Sequence, residues 1–348
     1  MKVAIITDQH FGARKSSRVF HDFFLKFYDQ VFFPTLEERG ITTVFDLGDT
    51  FDNRRQIDLW AAKWAREKYY NRLQEMNVEV HAVVGNHTAY FKDTNSINTL
   101  DNLLGEYENV HTYSEATEVT IGGLPILFIP WINNENSETT YQLIKSTSCD
   151  YAMGHLELNG FEAHRGYIMD HGVESKLYKK FNKVLSGHYH HRSSRGNIHY
   201  LGNPYQIYWN DYKDPRGFHI FDTETGDLEF ILNPFEIYEK IAYDEDKIKA
   251  SKFKYSNYEG KILKIIVENK KDSSKFDFFL SQLYTAGALE IKIVEDPSFE
   301  QGLDEEIDIE KEDTLTILER YVDDMEHSDK ASLKSILKSL YVEALELV

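Results

Sequence analysis

Residues 2–10 read KVAIITDQH, and this stretch decides the fold. An unbroken apolar run that ends abruptly in polar residues predicts a strand buried on both faces. Two further runs follow the same scheme, since residues 42–49 end in Gly-Asp and residues 78–86 end in Gly-Asn. Segments of helical periodicity, at about 18–38 and 57–76, separate the three runs. We therefore predict parallel strands covered by helices, with the polar ends gathered at one edge of the sheet.

The next part of the chain has a different pattern, with short strands joined by turns. Hairpins are predicted around Gly122-Gly123, between residues 118 and 131, and around Thr225-Gly226, between residues 217 and 232. Single strands are predicted at 150–157, 183–190 and 198–201. The combination indicates a layered α/β sandwich with two mixed β-sheets.

The sequence divides into four parts. Residues 1–234 form the predicted main domain, and a β-α-β pattern at 235–298 predicts a small second α/β domain. Residues 299–313 read as an acidic linker. Residues 314–348 predict a helical pair, whose last helix has an apolar stripe at i, i+3, i+4 and i+7 spacing. That stripe either closes on the preceding helix or docks on another protein, and its separation from the core favours docking.

Composition limits the cellular setting. The single cysteine, Cys149, excludes an intramolecular disulfide and favours a reducing compartment. We find no signal-peptide pattern and no apolar run of about 20 residues, which predicts a cytoplasmic protein with no membrane span. The net charge of −19 argues against a passive nucleic-acid binder. Bound cations would neutralise part of this charge, and another part is concentrated at residues 304–313.

Five polar motifs stand at the ends of predicted strands, and together they carry the chemistry. They are Asp8-Gln9-His10, Gly48-Asp49, Gly85-Asn86-His87, Gly154-His155 and Gly187-His188-Tyr189-His190. One Gly-Asp or Gly-His alone is weak evidence, whereas all five in this order are specific. Oxygen and imidazole donors without a thiolate suit Mn²⁺, Fe or Zn²⁺. A carboxylate can span two cations, and a two-metal site can activate water for attack at phosphorus.

These motifs resemble those of the calcineurin-like metallophosphoesterase superfamily, and the whole chain resembles its SbcD-type DNA double-strand-break repair nucleases. The resemblance implies a four-layer sandwich, with residues 235–298 as a DNA-capping domain. It also implies two metal sites, usually of Mn²⁺, that share Asp49 as a bridge. The implied ligands are Asp8, His10, Asp49 and His190 for the first metal, and Asp49, Asn86, His155 and His188 for the second. His87 would contact the phosphate or protonate the leaving oxygen.

The function implied by this resemblance is a Mn²⁺-dependent DNA nuclease with exonuclease and endonuclease activity. It would act on double-stranded DNA and DNA ends in recombination, double-strand-break repair and phage DNA replication, in the cytoplasm of the host cell. The implied partner is an SMC-like coiled-coil ATPase that binds residues 314–348. A homodimer within a heterotetramer is implied as well.

Two positions depart from the family pattern. Thr88 stands after the Gly-Asn-His motif, where relatives usually have Asp or Glu that supports the histidine. Asp52 stands where relatives often have His, and we hypothesise that Asp52 hydrogen-bonds His87. Basic residues near the motifs either contact DNA phosphates or form a solvated rim. The candidates are Arg14, Arg54, Arg55 and Arg192.

Two other functions remain open from the sequence. The first is another metallophosphoesterase, such as a protein phosphatase or cyclic-nucleotide phosphodiesterase. Residues 48–54 and 85–88 fit the phosphatase patterns less well, because Asn53 and Thr88 replace expected residues. The second is a non-enzymatic DNA-end-binding scaffold with a vestigial metal site, which the intact set of seven ligands disfavours. Cleavage of duplex DNA in the presence of Mn²⁺ would distinguish the DNA nuclease from these two alternative functions.

Overall fold

The computed structural model describes residues 1–295, 322, 330, 333, 334 and 337. The predicted linker at 299–313 and most of the helical segment at 314–348 therefore lie outside the described residues. Strands are numbered β1–β17 in chain order. No helix among the described residues is long and apolar enough to cross a membrane.

Two six-stranded sheets dominate the fold. The first contains, in spatial order, β14 (Leu228–Leu232), β13 (Gly217–Asp222), β1 (Lys2–Ile6), β2 (Thr43–Asp46), β3 (Glu79–Val83) and β4 (Val110–Tyr113). The second contains β11 (Ser193–Arg195), β12 (Ile198–Tyr200), β10 (Lys183–Ser186), β7 (Tyr151–Gly154), β6 (Leu124–Ile129) and β5 (Thr117–Ile121). β1 pairs with β2 in parallel and with β13 antiparallel, while β7 pairs with β10 in parallel and β5 with β6 antiparallel. Both sheets are mixed, which confirms the prediction.

Helices cover the outer faces of the two sheets. α1 (Ala13–Ser16) precedes a long helix made of α2 (Arg18–Phe27), a π-helical segment (Tyr28–Phe32) and α3 (Phe33–Arg39). A second long helix joins α4 (Leu59–Ala65), another π segment (Arg66–Tyr70) and α5 (Asn71–Glu75). α6 (Thr99–Leu104) and α7 (Ser137–Ser146) complete this set, and α8 (Ser273–Thr285) follows later in the chain. Short 3-10 turns lie at Ser175–Tyr178, Trp209–Asp211, Ala250–Lys252 and Tyr255–Tyr258.

Side-chain alternation along β1 shows how the layers are built. Val3 and Ile5 face a core shared with the second sheet, where Phe128 also lies. Ala4 and Ile6 point the other way, into an aromatic-rich core formed with the helices. A third cluster packs α7 and the loops against the outer face of the second sheet. Helix, sheet, sheet and helix therefore follow one another, and this confirms the four-layer sandwich.

The first long helix ends where the sequence predicts. Gly40 adopts a left-handed conformation with φ of 60°, and its N–H donates to the carbonyl of Glu37. The following N–H, of Ile41, donates back to Leu36 at 2.9 Å. These bonds satisfy the last carbonyls of the helix, and glycine adopts the required backbone without a Cβ clash.

A third sheet follows the two large ones along the chain. It consists of β15 (Tyr238–Asp244), β16 (Ile262–Asn269) and β17 (Glu290–Val294), all parallel, and it packs on α8 around its own apolar cluster. The β-α-β pattern predicts β16, α8 and β17. β15 was not predicted, because charged residues interrupt its apolar positions.

Other elements were also missed or differently bounded. α7, β4, β11 and a small hairpin of β8 (Glu162–His164) and β9 (Tyr167–Ile168) were not predicted. The strands predicted at 150–157 and 183–190 are shorter in the structure, where β7 ends at Gly154 and β10 ends at Ser186. The polar motif residues therefore lie in loops just beyond the strands.

Candidate metal centre

The polar motifs lie in loops that follow neighbouring strands. Asp8 follows β1, Asp49 follows β2 and Asn86 follows β3, and these strands are adjacent in the first sheet. His155 follows β7 and His188 follows β10, which are adjacent in the second sheet. Loops at the carboxyl ends of parallel strands are the usual place for a site in an α/β fold.

The first donor group consists of Asp8, His10 and His190, whose ligand atoms all lie within 4.8 Å of one another. The Nε2 atoms of His10 and His190 are 3.0 Å apart, although the two residues come from different sheets. Asp8 and His10 are buried and His190 is partly buried. Imidazole nitrogens and a carboxylate that converge in this way form a donor set suited to a divalent transition metal.

The second donor group consists of Asp49, His155 and His188, whose ligand atoms also lie within 4.8 Å of one another. Nε2 of His155 lies 3.1 Å from Oδ2 of Asp49. Oδ1 of Asn86 lies 2.9 Å from Nε2 of His155 and 2.9 Å from Nδ1 of His188. The structure thus brings together the four side chains predicted for the second metal.

Glycines before the donors make this close approach possible. A Cβ at Gly85 would overlap Oδ1 of Asp49, and a Cβ at Gly48 would overlap Nδ1 of His155. Gly48 also has φ of 100°, which favours glycine. The donors approach one another closely, and their oxygen and imidazole atoms are ligands that suit divalent metals. Both features fit a site for two divalent metal ions.

Main-chain groups orient the donors. Nδ1 of His155 donates to the carbonyl oxygen of Leu47 at 2.8 Å, which leaves Nε2 directed toward Asp49. The main-chain N–H of His188 donates to both carboxylate oxygens of Asp8 at 3.1 Å. Such outer contacts fix the tautomer of a ligand histidine and the direction of a ligand carboxylate.

The charges of the two groups are strongly coupled. Burial lowers the pKa of His10, but the hydrogen bond and charge of Asp52 outweigh it and raise that pKa to about 9. Burial also lowers the pKa of His155, but the charge and hydrogen bond of Asp49 outweigh this effect and raise that pKa to about 8. For Asp49, the effect of burial is outweighed by the charge of His155, and the pKa lies well below the usual range. Burial raises the pKa of Asp8. Without metal, protonated imidazoles therefore balance the buried carboxylate of Asp49, and a bound cation would replace their protons.

His87 lies at the edge of the first donor group. Its main-chain N–H donates to Oδ1 of Asp49 at 2.8 Å, and its Nδ1 donates to the carbonyl oxygen of Asp52 at 2.6 Å. Its ring centroid is 4.9 Å from that of His10, with the ring planes nearly perpendicular. One nitrogen of His87 is thus fixed by the protein at a position next to the predicted metal ligands.

The two departures from the family pattern have structural roles. Oδ1 of Asp52 lies 3.2 Å from Nδ1 of His10, and the main-chain carbonyl of Asp52 accepts from Nδ1 of His87. A carboxylate oxygen of Asp52 also lies within 4.8 Å of a ring nitrogen of His87. The hypothesis that the Asp52 side chain hydrogen-bonds His87 stays a prediction. Oγ1 of Thr88 donates to the carbonyl of Gly85 at 3.0 Å and accepts from its N–H at 2.8 Å. Thr88 stabilises the turn, and Asp52 orients the ring of His87.

The four candidate DNA-contacting arginines lie outside both donor groups. Arg14 stands in a left-handed turn with φ of 57°, and its guanidinium lies over the ring of Tyr208. Arg54 lies over the ring of Trp131, with 5.7 Å between Cζ and the ring centroid. Arg55 is exposed. Arg192 packs 3.6 Å from the ring centroid of Phe230, and burial lowers its pKa.

A buried arginine that was not predicted from the sequence supports the site. Arg216 is 4% exposed and donates through Nη1 to the carbonyl of His190 and to Oδ1 of Asn203. Its Nη2 donates to Asp211 at 2.9 Å and to Asp214 at 2.7 Å. The guanidinium thereby holds the loop that carries a predicted metal ligand. The only sequence signal is an Asp-Pro-Arg-Gly turn before β13, which does not reveal a buried arginine.

Comparison with known proteins identifies the family of this chain. Residues 1–192 match the calcineurin-like phosphoesterase family. Exonuclease subunit 1 of Enterobacteria phage T4 is 32% identical over 350 residues, which cover 99% of this chain and 100% of that protein. A solved archaeal phosphodiesterase matches at a TM-score of 0.35 and 15% identity, over 67% of this chain and 100% of that chain, a likeness too weak to carry an argument. The family match and the phage relative establish that the chain belongs to the calcineurin-like phosphoesterases and is a hydrolase of phosphate esters.

Proposed function

We propose that this chain is a Mn²⁺-dependent DNA nuclease that hydrolyses phosphodiester bonds at DNA ends and within strands. The observation that carries the proposal is the pair of donor groups that meet at the strand ends beside His87. The name of the phage relative, an exonuclease subunit, supports DNA as the substrate.

The ligand assignment follows the two donor groups. Asp8, His10 and His190 would hold one metal, and Asn86, His155 and His188 the other, with Asp49 between them. Asp49 belongs to the second group, and its charge also raises the pKa of both Asp8 and His10 in the first. That electrostatic contact supports the bridging role. When bound, the metals would supply Lewis acidity and an activated water for attack at phosphorus.

His87 would handle the proton of the leaving oxygen. Because Nδ1 is fixed on the carbonyl of Asp52, Nε2 is the atom that exchanges a proton with the substrate. The N–H of His87 on Asp49 ties the position of the ring to the metal ligands. A positioned general acid of this kind contributes roughly 10²–10⁴-fold to the rate.

The wider biological role rests on the resemblance and on the subunit name of the relative. Residues 1–234 would form the nuclease domain and 235–298 a DNA-capping domain, of which the third sheet with its own core is the described part. Residues 299–313 would link them to 314–348, the segment that binds an SMC-like ATPase. The complex, a nuclease homodimer within a heterotetramer, would act in recombination, double-strand-break repair and phage DNA replication in the host cytoplasm.

The nuclease proposal is tested with labelled duplex DNA and the purified chain in Mn²⁺, Mg²⁺ or chelator. The wild type should cleave in Mn²⁺, and Asp49→Ala should abolish cleavage. His87→Gln should lower the rate by roughly 10²–10⁴-fold while calorimetry shows that Mn²⁺ still binds. DNA binding without cleavage in any metal would support the scaffold. Cleavage of bis(p-nitrophenyl) phosphate without cleavage of DNA would point to another phosphodiester substrate.

The partner proposal needs a separate test. Deletion of residues 314–348 should abolish co-purification with the candidate ATPase and leave Mn²⁺-dependent cleavage intact. Co-purification of the truncated chain would contradict this assignment.

A further inference from the structure

An exposed aromatic pair lies just beyond His87. Tyr90 is 40% exposed and Phe91 is 44% exposed, and their ring centroids are 4.8 Å apart at an interplanar angle of 81°. Lys92, which follows, is also exposed. Aromatic faces beside a cationic side chain are the features on which single-stranded nucleic acids stack.

The loop that carries this pair is held rigidly. Nδ2 of Asn95, which is 2% exposed, donates to the carbonyls of Ser114 at 3.0 Å and Trp131 at 2.9 Å. Nδ2 of Asn133 in turn donates to Oδ1 of Asn95 at 3.0 Å. Hydrogen bonds with three residues, of which Asn133 is buried, therefore fix the middle of the loop. A surface that is fixed before binding loses less conformational entropy when a ligand arrives.

Main-chain bonds close the same loop at its base. The N–H of Tyr90 donates to the carbonyl of Ile97 at 2.9 Å, and the N–H of Thr99 donates to the carbonyl of Thr88 at 2.8 Å. The exposed rings thus project from a closed, hydrogen-bonded loop whose first residues continue directly from the turn of His87. The hydrogen bonds of this loop therefore hold both rings in an exposed position.

The guanidinium of Arg54 packs on Trp131, whose carbonyl accepts the hydrogen bond from Asn95 of the same loop. Nε and Nη1 of Arg54 are buried, and no described residue accepts a hydrogen bond from either atom. The guanidinium lies over Trp131, whose N–H donates to the carbonyl of Val84 at 2.7 Å, directly before the Gly-Asn-His motif. Buried N–H donors need an acceptor, and a phosphate oxygen is the acceptor that matches a guanidinium best.

The spacing suits a short unpaired strand. Tyr90 is three residues from His87, so their Cα atoms are at most about 11 Å apart. Stacked nucleotides advance about 3.4 Å each, so the aromatic pair lies within roughly three nucleotides of the reacting phosphate.

We propose that Tyr90 and Phe91 form a stacking platform for the unpaired bases of a DNA end, and that Arg54 binds the phosphate backbone of the same strand. The proposal rests on the proposed nuclease function and names the form of DNA that the site takes. Stacking uses the π-face that every base has, so the platform accepts ends of any sequence.

Fluorescence anisotropy in chelator measures binding without cleavage. The probes are a single-stranded oligonucleotide, a blunt duplex, and a duplex with an overhang of about four nucleotides, near the smallest footprint of stacking proteins. For the single strand and the overhang, Tyr90→Ala/Phe91→Ala should raise Kd roughly tenfold or more, and Arg54→Ala should raise it as well. Binding of the blunt duplex and hydrolysis of bis(p-nitrophenyl) phosphate by the double variant should change less than about twofold.

Two further variants control for surface loss. Tyr90→Phe/Phe91→Tyr keeps both rings and should restore tight binding. Tyr167→Ala/Ile168→Ala removes two apolar side chains that are 52% and 61% exposed on β9, outside the proposed DNA-capping domain, and it should leave DNA affinity unchanged.

Three outcomes separate the alternatives. Unchanged affinity of the alanine double variant for single strands would overturn the platform while leaving the nuclease intact. A wild-type dimer that this variant dissociates in sedimentation, with DNA affinity unchanged, would assign the rings to a second copy of the chain and also overturn it. A wild type that hydrolyses bis(p-nitrophenyl) phosphate but neither binds nor cleaves DNA would overturn both the proposed function and the platform.

Discussion

Replacing Asp52 by asparagine should change how protons compete with metal at His10. Burial lowers the pKa of His10, and the nearby carboxylate of Asp52, 3.2 Å from Nδ1, contributes most to raising it to about 9. Asparagine keeps the shape of the side chain and removes its charge. The pKa of His10 in Asp52→Asn should therefore fall.

The size of the effect follows from the shifted pKa. With a pKa of about 9, only about 3% of metal-free molecules carry a neutral His10 near pH 7.5. Displacing that proton costs about 2 kcal/mol, so wild-type metal affinity should rise about tenfold per pH unit from pH 6 to 8.5. In Asp52→Asn the rise should level off at a lower pH. At the alkaline end the variant should bind roughly 10- to 100-fold more weakly, because the carboxylate that orients the ligand is lost.

Titration calorimetry with Mn²⁺ across this pH range gives both affinity and proton release. Wild-type protein should release close to one proton from His10 near pH 7.5, and the variant should release fewer. Asp170→Asn is the matched control, because it removes an exposed carboxylate that lies 3.1 Å from another histidine, His171. Equal pH slopes and equal proton release in wild type and Asp52→Asn would refute the role assigned to Asp52.

Three other substitutions probe the support of the site and the core. Gly85→Ala should lower the Mn²⁺ stoichiometry in calorimetry, because its Cβ would overlap Oδ1 of Asp49; full stoichiometry would contradict this. Arg216→Lys should lower the free energy of unfolding by roughly 3 kcal/mol in urea titrations, since lysine cannot replace the fork that reaches His190 and two carboxylates. Burial lowers the pKa of His219 to about 3. Below about pH 6.5 the unfolded chain binds a proton that the folded chain excludes, so stability falls as pH falls toward 3. His219→Gln should remove about 2 kcal/mol of that loss near pH 5, and identical pH dependence in urea would contradict it.

The central strands were predictable because burial on both faces leaves a strong signal. β1, β2 and β3 are apolar runs that a parallel sheet between two layers requires, and their order follows from the helices between them. β15 was missed for the opposite reason. Its buried positions are separated by partly exposed and exposed ones, with Glu239 and Lys240 among them, so its apolar run is broken.

The candidate site was predictable in its residue types and only partly in its contacts. Motifs of Asp, Asn and His after strands indicate which side chains meet, because the ends of adjacent strands are neighbours. They do not indicate whether Asp52 contacts its neighbours through the carboxylate or the carbonyl. The role of Arg216 depends on a loop that folds back over it from another strand, and no local pattern encodes that contact.

Backbone strain explains why local propensity fails at these loops while the motifs remain readable. Asp8, His10, Asp49 and His188 all have positive φ, at 53°, 47°, 51° and 85°. Such conformations cost non-glycine residues roughly 1–3 kcal/mol each, so they persist only where surrounding contacts impose them. Those contacts include the main-chain N–H groups of His188 and His87, which donate to the carboxylates of Asp8 and Asp49. The strained turns aim buried carboxylates and imidazoles at common points, an arrangement that bound cations would stabilise and that protons stabilise in their absence. Local conformational propensity therefore does not predict the backbone of these loops, whereas the residue types of the motifs still identify the site.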